Sequence, residues 1–251
     1  MYTGLSSEEI GIRGAGGDEI NAYLARPRGE GSFPAVVVIH HMPGWDEETI
    51  EITNRFAAHG YIGICPNLHF REGGYDTAPD DAAAASRSAG GVPDARFLGD
   101  CQGAVDYVKQ LDDCNGKVGV IGYCSGGRQA FLAACSLEVD AAVDCYGGFV
   151  VGEPPAEYGL TEVKPIIHLA DNISCPLLGL FGNEDRSPSP AQVDELEEKL
   201  KQAGATYEFH RYDNAGHGFF GWGSGMYRPE AAKEGWAKIW DFFGRYLKAG
   251  A

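Results

Sequence analysis

The chain has 251 residues, of which 44% are hydrophobic and 11% aromatic, so it can bury a sizeable core and is not intrinsically disordered. Its formal net charge of −16 disfavours binding to nucleic-acid phosphates or to anionic lipid surfaces. No apolar stretch approaches the roughly 18 residues of a membrane span, and the first residues lack the basic and apolar regions of a secretory signal.

Short apolar segments rich in β-branched residues alternate with amphipathic segments along the chain. The apolar segments are predicted to be strands buried on both faces, at residues 35–40, 61–65, 118–122, 141–146 and 176–181. Residues 19–24 add a strand near the N-terminus. Residues 206–212 alternate in polarity and are predicted to form an outer strand.

Capping residues mark the predicted helices. Asp46 is the expected N-cap of the first helix, and another helix follows Asp94. Ser189 and Gln192 are spaced as a capping box at the start of a further helix, and Pro229 opens the last one. Strands that alternate with helices predict an α/β fold. We therefore expect residues 1–251 to form a single domain, with a mostly parallel central sheet and helices on both faces.

Two stretches do not fit the alternation and are predicted to be long loops. Residues 71–93 are rich in Gly, Ala and Asp, and residues 149–175 contain three prolines. Long loops in a compact α/β domain often form the walls of a binding site. We expect both loops to shape the pocket.

The segment Gly122-Tyr123-Cys124-Ser125-Gly126 follows a predicted strand and precedes a helix, the context of a nucleophile elbow with cysteine as the nucleophile. The strained strand-to-helix turn requires small residues two before and two after the nucleophile. Gly122 and Gly126 meet this requirement for Cys124, whereas Tyr123 would crowd a nucleophile at Ser125. A helix N-terminus behind Cys124 also favours its thiolate form.

The seven cysteines are odd in number and contain no C-x-x-C pair, which predicts a reducing cytoplasmic location rather than a disulfide framework. A free cysteine usually packs as a small hydrophobic residue, and we expect this of Cys65, Cys101, Cys135 and Cys145. A low-pKa thiol at Cys124 could also serve a redox role. No resolving cysteine is evident in the sequence.

A nucleophile elbow is followed in the chain by an acid and then by a histidine. Asp185 lies after the strand at 176–181, with Glu184 as an adjacent rival for the acid, and His217 lies after the strand at 206–212. In the predicted triad His217 takes the thiol proton and later activates water. Asp185 then fixes the tautomer of His217 and stabilises its imidazolium form.

Acyl transfer also requires an oxyanion hole. One donor is predicted to be the backbone N–H of Ser125, and the other the N–H of Met42, because Pro43 has none. His40 and His41 could be considered as metal ligands. Adjacent residues of a strand point to opposite faces and no carboxylate–histidine motif accompanies them, so no metal is predicted.

Together these residues resemble the dienelactone hydrolase family, or carboxymethylenebutenolidases, of the α/β-hydrolase fold. The resemblance spans roughly residues 20–247 and is most specific at 115–127. Ala215-Gly216-His217 with Phe219, and Gly182 with Asp185, match the other two triad motifs. The resemblance implies a Cys–His–Asp triad, no cofactor, and hydrolysis of lactones or activated esters through an acyl-enzyme thioester.

The sequence departs from the family at two coupled positions. His41 stands where the founding enzymes have a glutamate that takes the cysteine proton, and Gly221 stands where they have a substrate-binding arginine. These changes argue against the anionic dienelactone itself as the substrate. One hypothesis is that His41 replaces the glutamate, either as a proton acceptor or as a polar wall. Trp45 and Tyr146 are further candidates for the pocket.

The sequence thus predicts a hydrolase that cleaves a small lactone or activated ester and has no nucleic-acid or membrane partner. One alternative is a carboxylesterase with broad specificity for other small or xenobiotic esters. Another is a non-catalytic α/β-hydrolase scaffold, against which the complete triad argues. The oligomeric state is left open between a monomer and a small homo-oligomer.

Overall fold

A computed structural model describes residues 4–248. Its strands are β1 (Leu5–Arg13), β2 (Glu19–Pro27), β3 (Phe33–Ile39), β4 (Ile62–Pro66), β5 (Cys114–Tyr123), β6 (Ala141–Cys145), β7 (Leu177–Gly182) and β8 (Tyr207–Tyr212). Its α-helices are α1 (Glu47–Ala58), α2 (Phe70–Gly73), α3 (Pro79–Ser88), α4 (Asp94–Lys109), α5 (Ser125–Ser136), α6 (Pro190–Gln202) and α7 (Pro229–Leu247). Short 3₁₀ turns occur at Ala15–Gly17, Ala156–Tyr158 and Ile167–Asn172.

The eight strands form one sheet in the order β1-β2-β4-β3-β5-β6-β7-β8. β1 and β2 are antiparallel to their neighbours, and the pairings from β4 to β8 are parallel, which confirms the predicted mostly parallel sheet. The outer position predicted for the strand at 206–212 is also confirmed. Residues 5–13 were not predicted to form a strand; β1 lies at the other edge and is mostly exposed, so it lacks an apolar pattern.

Helices cover both faces of the sheet, as predicted. The alternation along β3 divides the core: Ala35 and Val37 face one hydrophobic cluster, while Val36 and Val38 face the other. α4, α5 and α6 pack on the first face, and α1 and α7 pack on the second. The four cysteines expected in the core, Cys65, Cys101, Cys135 and Cys145, are buried there.

The predicted N-caps Asp46 and Ser189 are confirmed, whereas Asp94 is the first residue of α4 and does not cap it. The Asp46 carboxylate caps α1 by accepting the Thr49 N–H at 2.9 Å. At the start of α6, the Ser189 hydroxyl accepts the Gln192 N–H at 3.4 Å, and the Gln192 side chain accepts the Ser189 N–H at 2.9 Å. These contacts satisfy N–H groups that have no acceptor within their own helix.

The prediction of a loop at 71–93 is wrong, because this stretch contains the end of α2 and all of α3. Pro79 occupies the first turn of α3, followed by two aspartates and a run of alanines, which are strong helix-forming signals. The stretch at 149–175 is irregular apart from its 3₁₀ turns. It is tied to α5 by Arg128, which donates to the Lys164 carbonyl at 2.6 Å.

Candidate active site

The predicted site residues all follow the carboxyl ends of neighbouring parallel strands. They come after β3 (His40, His41 and Met42), β5 (Cys124), β6 (Tyr146), β7 (Asp185) and β8 (His217). The chain leaves β3 for β4 on one side and returns to β5 on the other, which creates a crevice at this edge of the sheet. The fold therefore gathers residues that are far apart in the sequence.

Cys124 lies on a sharp turn between β5 and α5 and has φ 57° and ψ −120°. A non-glycine residue at positive φ is strained, and such strain is concentrated at functional sites. A Cβ on Gly122 would overlap the carbonyl oxygen of Gly126, and a Cβ on Gly126 would overlap that of Ile39. The Cys124 N–H donates to the Cys145 carbonyl at 3.0 Å, which anchors the turn to β6.

His217 and Asp185 are in direct contact. The Nδ1 of His217 lies 2.9 Å from Oδ2 of Asp185, and the other carboxylate oxygen accepts the Ser187 N–H at 2.8 Å. Asp185 is buried, which fixes its side chain against the imidazole. Glu184 is exposed, so the geometry places Asp185 rather than its neighbour beside the histidine.

Cys124 and His217 stabilise each other's charged forms. Burial alone raises the pKa of the Cys124 thiol, but the hydrogen bond and charge of His217 and the N–H of Ser125 bring this pKa below its ordinary value. Burial lowers the pKa of His217, yet the hydrogen bonds to Asp185 and Cys124 outweigh it and raise the pKa to about 10. The arrangement favours a thiolate–imidazolium pair.

His41 lies in the same cavity as Cys124 and is held by Asp46, with its Nε2 at 2.6 Å from the carboxylate. Burial lowers the pKa of His41, but the hydrogen bond and charge of Asp46 outweigh burial and raise the pKa above its ordinary value. The same contact lowers the pKa of Asp46 to about 2 against the opposing effect of burial. His41 is thus favoured as a cation, and its charge contributes to the lowered pKa of Cys124.

His40 has a structural place in the fold. Its Nε2 accepts the Leu68 N–H at 3.1 Å, so its Nδ1 carries the proton and donates to the His41 carbonyl at 2.8 Å. Burial lowers the pKa of His40 to about 4, which keeps the ring neutral. The two bonds fix the backbone that leads into the Met42 turn.

A cavity of about 190 Å³ surrounds Cys124 and His217. Tyr146 forms one wall, with its ring edge-to-face on His217 at a centroid distance of 5.2 Å. The remaining lining residues are His40, His41, Pro43, Glu48, Thr49, Ile52, Tyr123, Gly218, Gly221, Ser224 and Met226. The cavity is wide enough to admit a small substrate beside the thiol.

Trp45 does not line this cavity. Its indole N–H donates to the Cys65 carbonyl at 3.2 Å, and its ring lies edge-to-face on Tyr23. The side chain borders a separate groove with Tyr75 and Pro79. These contacts place the side chain against β2 and β4, and Trp45 is not among the described residues that line the cavity around Cys124.

A second cavity, of about 50 Å³, lies on the other side of the elbow, beside Ser125 and Met42. Its walls come partly from the two stretches singled out in the sequence: Ser86, Arg87, Gly91 and Val92 from 71–93, and Phe149, Leu160 and Val163 from 149–175. Within residues 4–248 the Met42 N–H has no backbone acceptor. The Ser125 N–H is one of the groups that lower the pKa of the Cys124 thiol.

Sequence reasoning missed several cavity residues, including Glu48, Ser224 and Met226. Ser224 and Met226 lie in the irregular segment between β8 and α7, which carries no periodic signal. Glu48 carried a usable signal, because it lies in the first turn of a helix whose N-cap, Asp46, is recognisable from the sequence. The first turn of α1 faces the same edge of the sheet as the elbow.

Neither a group of metal ligands nor a membrane-spanning helix occurs in the described residues. Among residues 4–248, no group of three or more His, Cys, Asp or Glu side chains is arranged to hold a metal ion. No helix in that part of the chain is long and apolar enough to cross a membrane.

The sequence matches the dienelactone hydrolase family over residues 20–247. It is 34% identical over 229 residues to a Methylorubrum extorquens protein assigned as a carboxymethylenebutenolidase, covering 90% of this chain and 77% of that one. It is 28% identical to the carboxymethylenebutenolidase of a Pseudomonas species, covering 98% of each chain. The crystal structure of a protein assigned as a dienelactone hydrolase from Klebsiella pneumoniae superimposes with a TM-score of 0.85 at 30% identity, covering 97% of this chain and 100% of that one. The chain therefore belongs to the dienelactone hydrolase family, which has the α/β-hydrolase fold.

Proposed function

We propose that this chain hydrolyses small lactones or activated carboxylic esters through a covalent thioester on Cys124, with His217 and Asp185 completing the triad. The observation that carries the proposal is the relay of contacts from the buried carboxylate through His217, 2.9 Å away, to a thiol on a strained turn. Family membership supports the reaction class. The arrangement has the nucleophile, base and orienting acid that acyl transfer requires.

In the first half-reaction, the Cys124 thiolate attacks the carbonyl carbon and forms a C–S bond. The carbonyl electron pair moves to oxygen, where the N–H groups of Ser125 and Met42 are the proposed donors. Collapse of this tetrahedral species breaks the bond to the leaving oxygen. The His217 imidazolium donates its proton to that oxygen, which leaves as an alcohol or, for a lactone, remains attached to the acyl chain.

In the second half-reaction, neutral His217 takes a proton from water as the water attacks the thioester. The tetrahedral species collapses with departure of the Cys124 thiolate, the carboxylic acid is released, and the thiolate–imidazolium pair is restored. Asp185 orients His217 and stabilises its charge in both half-reactions. No group outside the chain and water is needed for the cycle.

We further propose that the two cavities on either side of the elbow hold the two parts of the substrate. The larger one contains the thiol, and the smaller one lies beside the proposed oxyanion donors. The segments at 71–93 and 149–175 shape the smaller cavity in this proposal. The acidic net charge of −16 is in keeping with a small-molecule substrate rather than nucleic acid or an anionic membrane as the partner.

The test is turnover of p-nitrophenyl acetate and a panel of lactones by the wild type and by Cys124→Ala, with mass spectrometry to trap the acyl-enzyme. We expect the wild type to gain the mass of the acyl group on the peptide that contains Cys124. We expect turnover to fall to background in Cys124→Ala. Cys65→Ala is the matched control, since this thiol is fully buried in the core.

Two results would contradict the proposal. Turnover that persists in Cys124→Ala would assign the reaction to another nucleophile. A folded wild-type protein that hydrolyses no member of the panel would favour the non-catalytic scaffold.

A further inference from the structure

The carboxylate of Glu48 lies in the cavity that contains the proposed nucleophile. Glu48 belongs to the first turn of α1 and lines this cavity together with Cys124 and His217. One carboxylate oxygen is 3.3 Å from where a Cβ on Gly221 would stand, on the wall formed by the segment after His217. The absence of a side chain at Gly221 leaves room for the carboxylate to reach into the cavity.

Glu48 has no hydrogen-bond or ion-pair partner within residues 4–248. Burial raises its pKa, and the nearby charges of Asp46 and Glu51 act in the same direction, while His41 opposes them. A partly desolvated carboxylate without a partner is stabilised by an incoming cation and destabilised by a second anion.

The other charges of the cavity are already compensated. The imidazole of His41 lies 2.6 Å from the Asp46 carboxylate. The hydrogen bond and charge of His217 stabilise the thiolate form of Cys124. None of the described residues that line the cavity is a lysine or an arginine. Among the described residues that line the cavity, Glu48 is therefore the charged side chain that no hydrogen bond or ion pair holds.

We propose that Glu48 determines the charge specificity of the site, so that the enzyme prefers esters or lactones bearing an amine or quaternary ammonium group over those bearing a carboxylate. This inference rests on the proposed function, because it concerns the substrate that Cys124 attacks. Electrostatic attraction in a partly desolvated cavity provides the preference, and an uncharged substrate of the same shape lies between the two extremes.

The test uses two matched sets of esters. The first set consists of p-nitrophenyl esters with acyl chains of equal length that end in a tert-butyl, a trimethylammonium or a carboxylate group. The second set consists of acetate esters whose alcohol part ends in a tert-butyl, a trimethylammonium or a carboxylate group. The quantity measured is the ratio of kcat/KM for the cationic and the anionic member of each set, which cancels general effects on activity.

Glu48→Gln removes the charge and keeps the size of the side chain. We expect this substitution to reduce the ratio by about tenfold in at least one set, as expected for loss of one charge interaction at an effective dielectric constant between those of protein and water. Glu47→Gln is the matched control, because Glu47 lies in the same helical turn, is exposed and does not line the cavity. It should leave both ratios within twofold of wild type.

A measurement on the wild type alone gives an independent check. The cationic preference should shrink as NaCl concentration rises, because salt screens a charge interaction that is open to solvent. The charge specificity is refuted if both ratios in Glu48→Gln stay within twofold of wild type, or if the wild type shows no cationic preference in either set. If the neutral esters are hydrolysed independently of Cys124, the proposed function itself fails instead.

Discussion

The imidazole of His41 lies 2.6 Å from the carboxylate of Asp46, and the same carboxylate caps helix α1. One side chain thus fixes both the start of the helix that carries Glu48 and the charge of a histidine beside the candidate nucleophile. A histidine that is favoured as a cation is poorly suited to accept the thiol proton. We therefore propose that His41 acts on Cys124 through its positive charge and does not replace the family glutamate as a base.

This proposal predicts the behaviour of His41→Ala. Removal of the nearby positive charge should raise the pKa of the Cys124 thiol, because that charge contributes to lowering it. The loss of kcat/KM should be at most about tenfold, since one charge at a partly exposed site contributes on the order of 1 kcal/mol. The rate of alkylation by iodoacetamide as a function of pH measures the thiol directly. A profile identical to wild type would remove His41 from the mechanism.

His217→Ala should have a much larger effect on the same thiol. The hydrogen bond and charge of His217 oppose the effect of burial on Cys124, so their loss should move the alkylation profile to higher pH. Turnover should fall by about 100- to 10,000-fold, the usual contribution of a general acid–base. His168→Ala, remote from the cavity lining, serves as the control. An unshifted thiol profile in His217→Ala would rule out the thiolate–imidazolium pair.

The buried carboxyl of Asp144 should make the free energy of unfolding depend on pH. It is fully buried on β6, accepts the Gly147 N–H at 2.7 Å, and has its pKa raised by burial to about 7. The folded carboxyl stays protonated where the unfolded one is ionised, so stability is present at acidic pH and is lost as the pH rises toward 7. This loss is about 3–4 kcal/mol.

Asp144→Asn should abolish that part of the dependence, because its amide does not ionise. Chemical denaturation between about pH 4 and pH 8 measures the difference between the two proteins. Glu138→Gln, at an exposed position near the start of β6, should run parallel to wild type. If wild type and Asp144→Asn follow parallel curves as well, the carboxyl is not held protonated.

The ion pair between Arg71 and Asp100 should contribute strongly to stability. The two side chains are joined by bonds of 2.8 and 3.0 Å between α2 and α4, and Asp100 is fully buried. Arg71→Met would leave a buried carboxylate without its cation, which typically costs about 3–5 kcal/mol. Asp18→Asn removes the exposed partner of the same arginine and should cost less than about 1 kcal/mol. Denaturant unfolding measures the loss of stability in Arg71→Met and in Asp18→Asn. Equal losses in the two variants would contradict a larger contribution from the buried pair than from the exposed one.

Local signals predicted a large part of the fold. Residues buried on both faces gave β3 to β7 their apolar composition, and capping residues such as Asp46 and Ser189 marked the starts of helices. The predictions are wrong where local signals are weak or conflict with one another. β1 is an exposed edge strand without an apolar pattern, and the alanines of α3 are flanked by glycines, which are typical of loops.

The sequence by itself identified the family, and it predicts the chain order of the proposed triad, Cys124, Asp185 and His217, because an elbow needs small residues at fixed spacing and a triad in this fold follows a fixed chain order. Only the tertiary structure decided which acid touches His217, that His41 is paired with Asp46, and that Trp45 lies outside the cavity. It also brought the carboxylate of Glu48, which has no ion-pair partner among residues 4–248, into the cavity that contains Cys124. Contacts of this kind depend on the packing of α1 against the sheet, and residue spacing along the chain does not encode them.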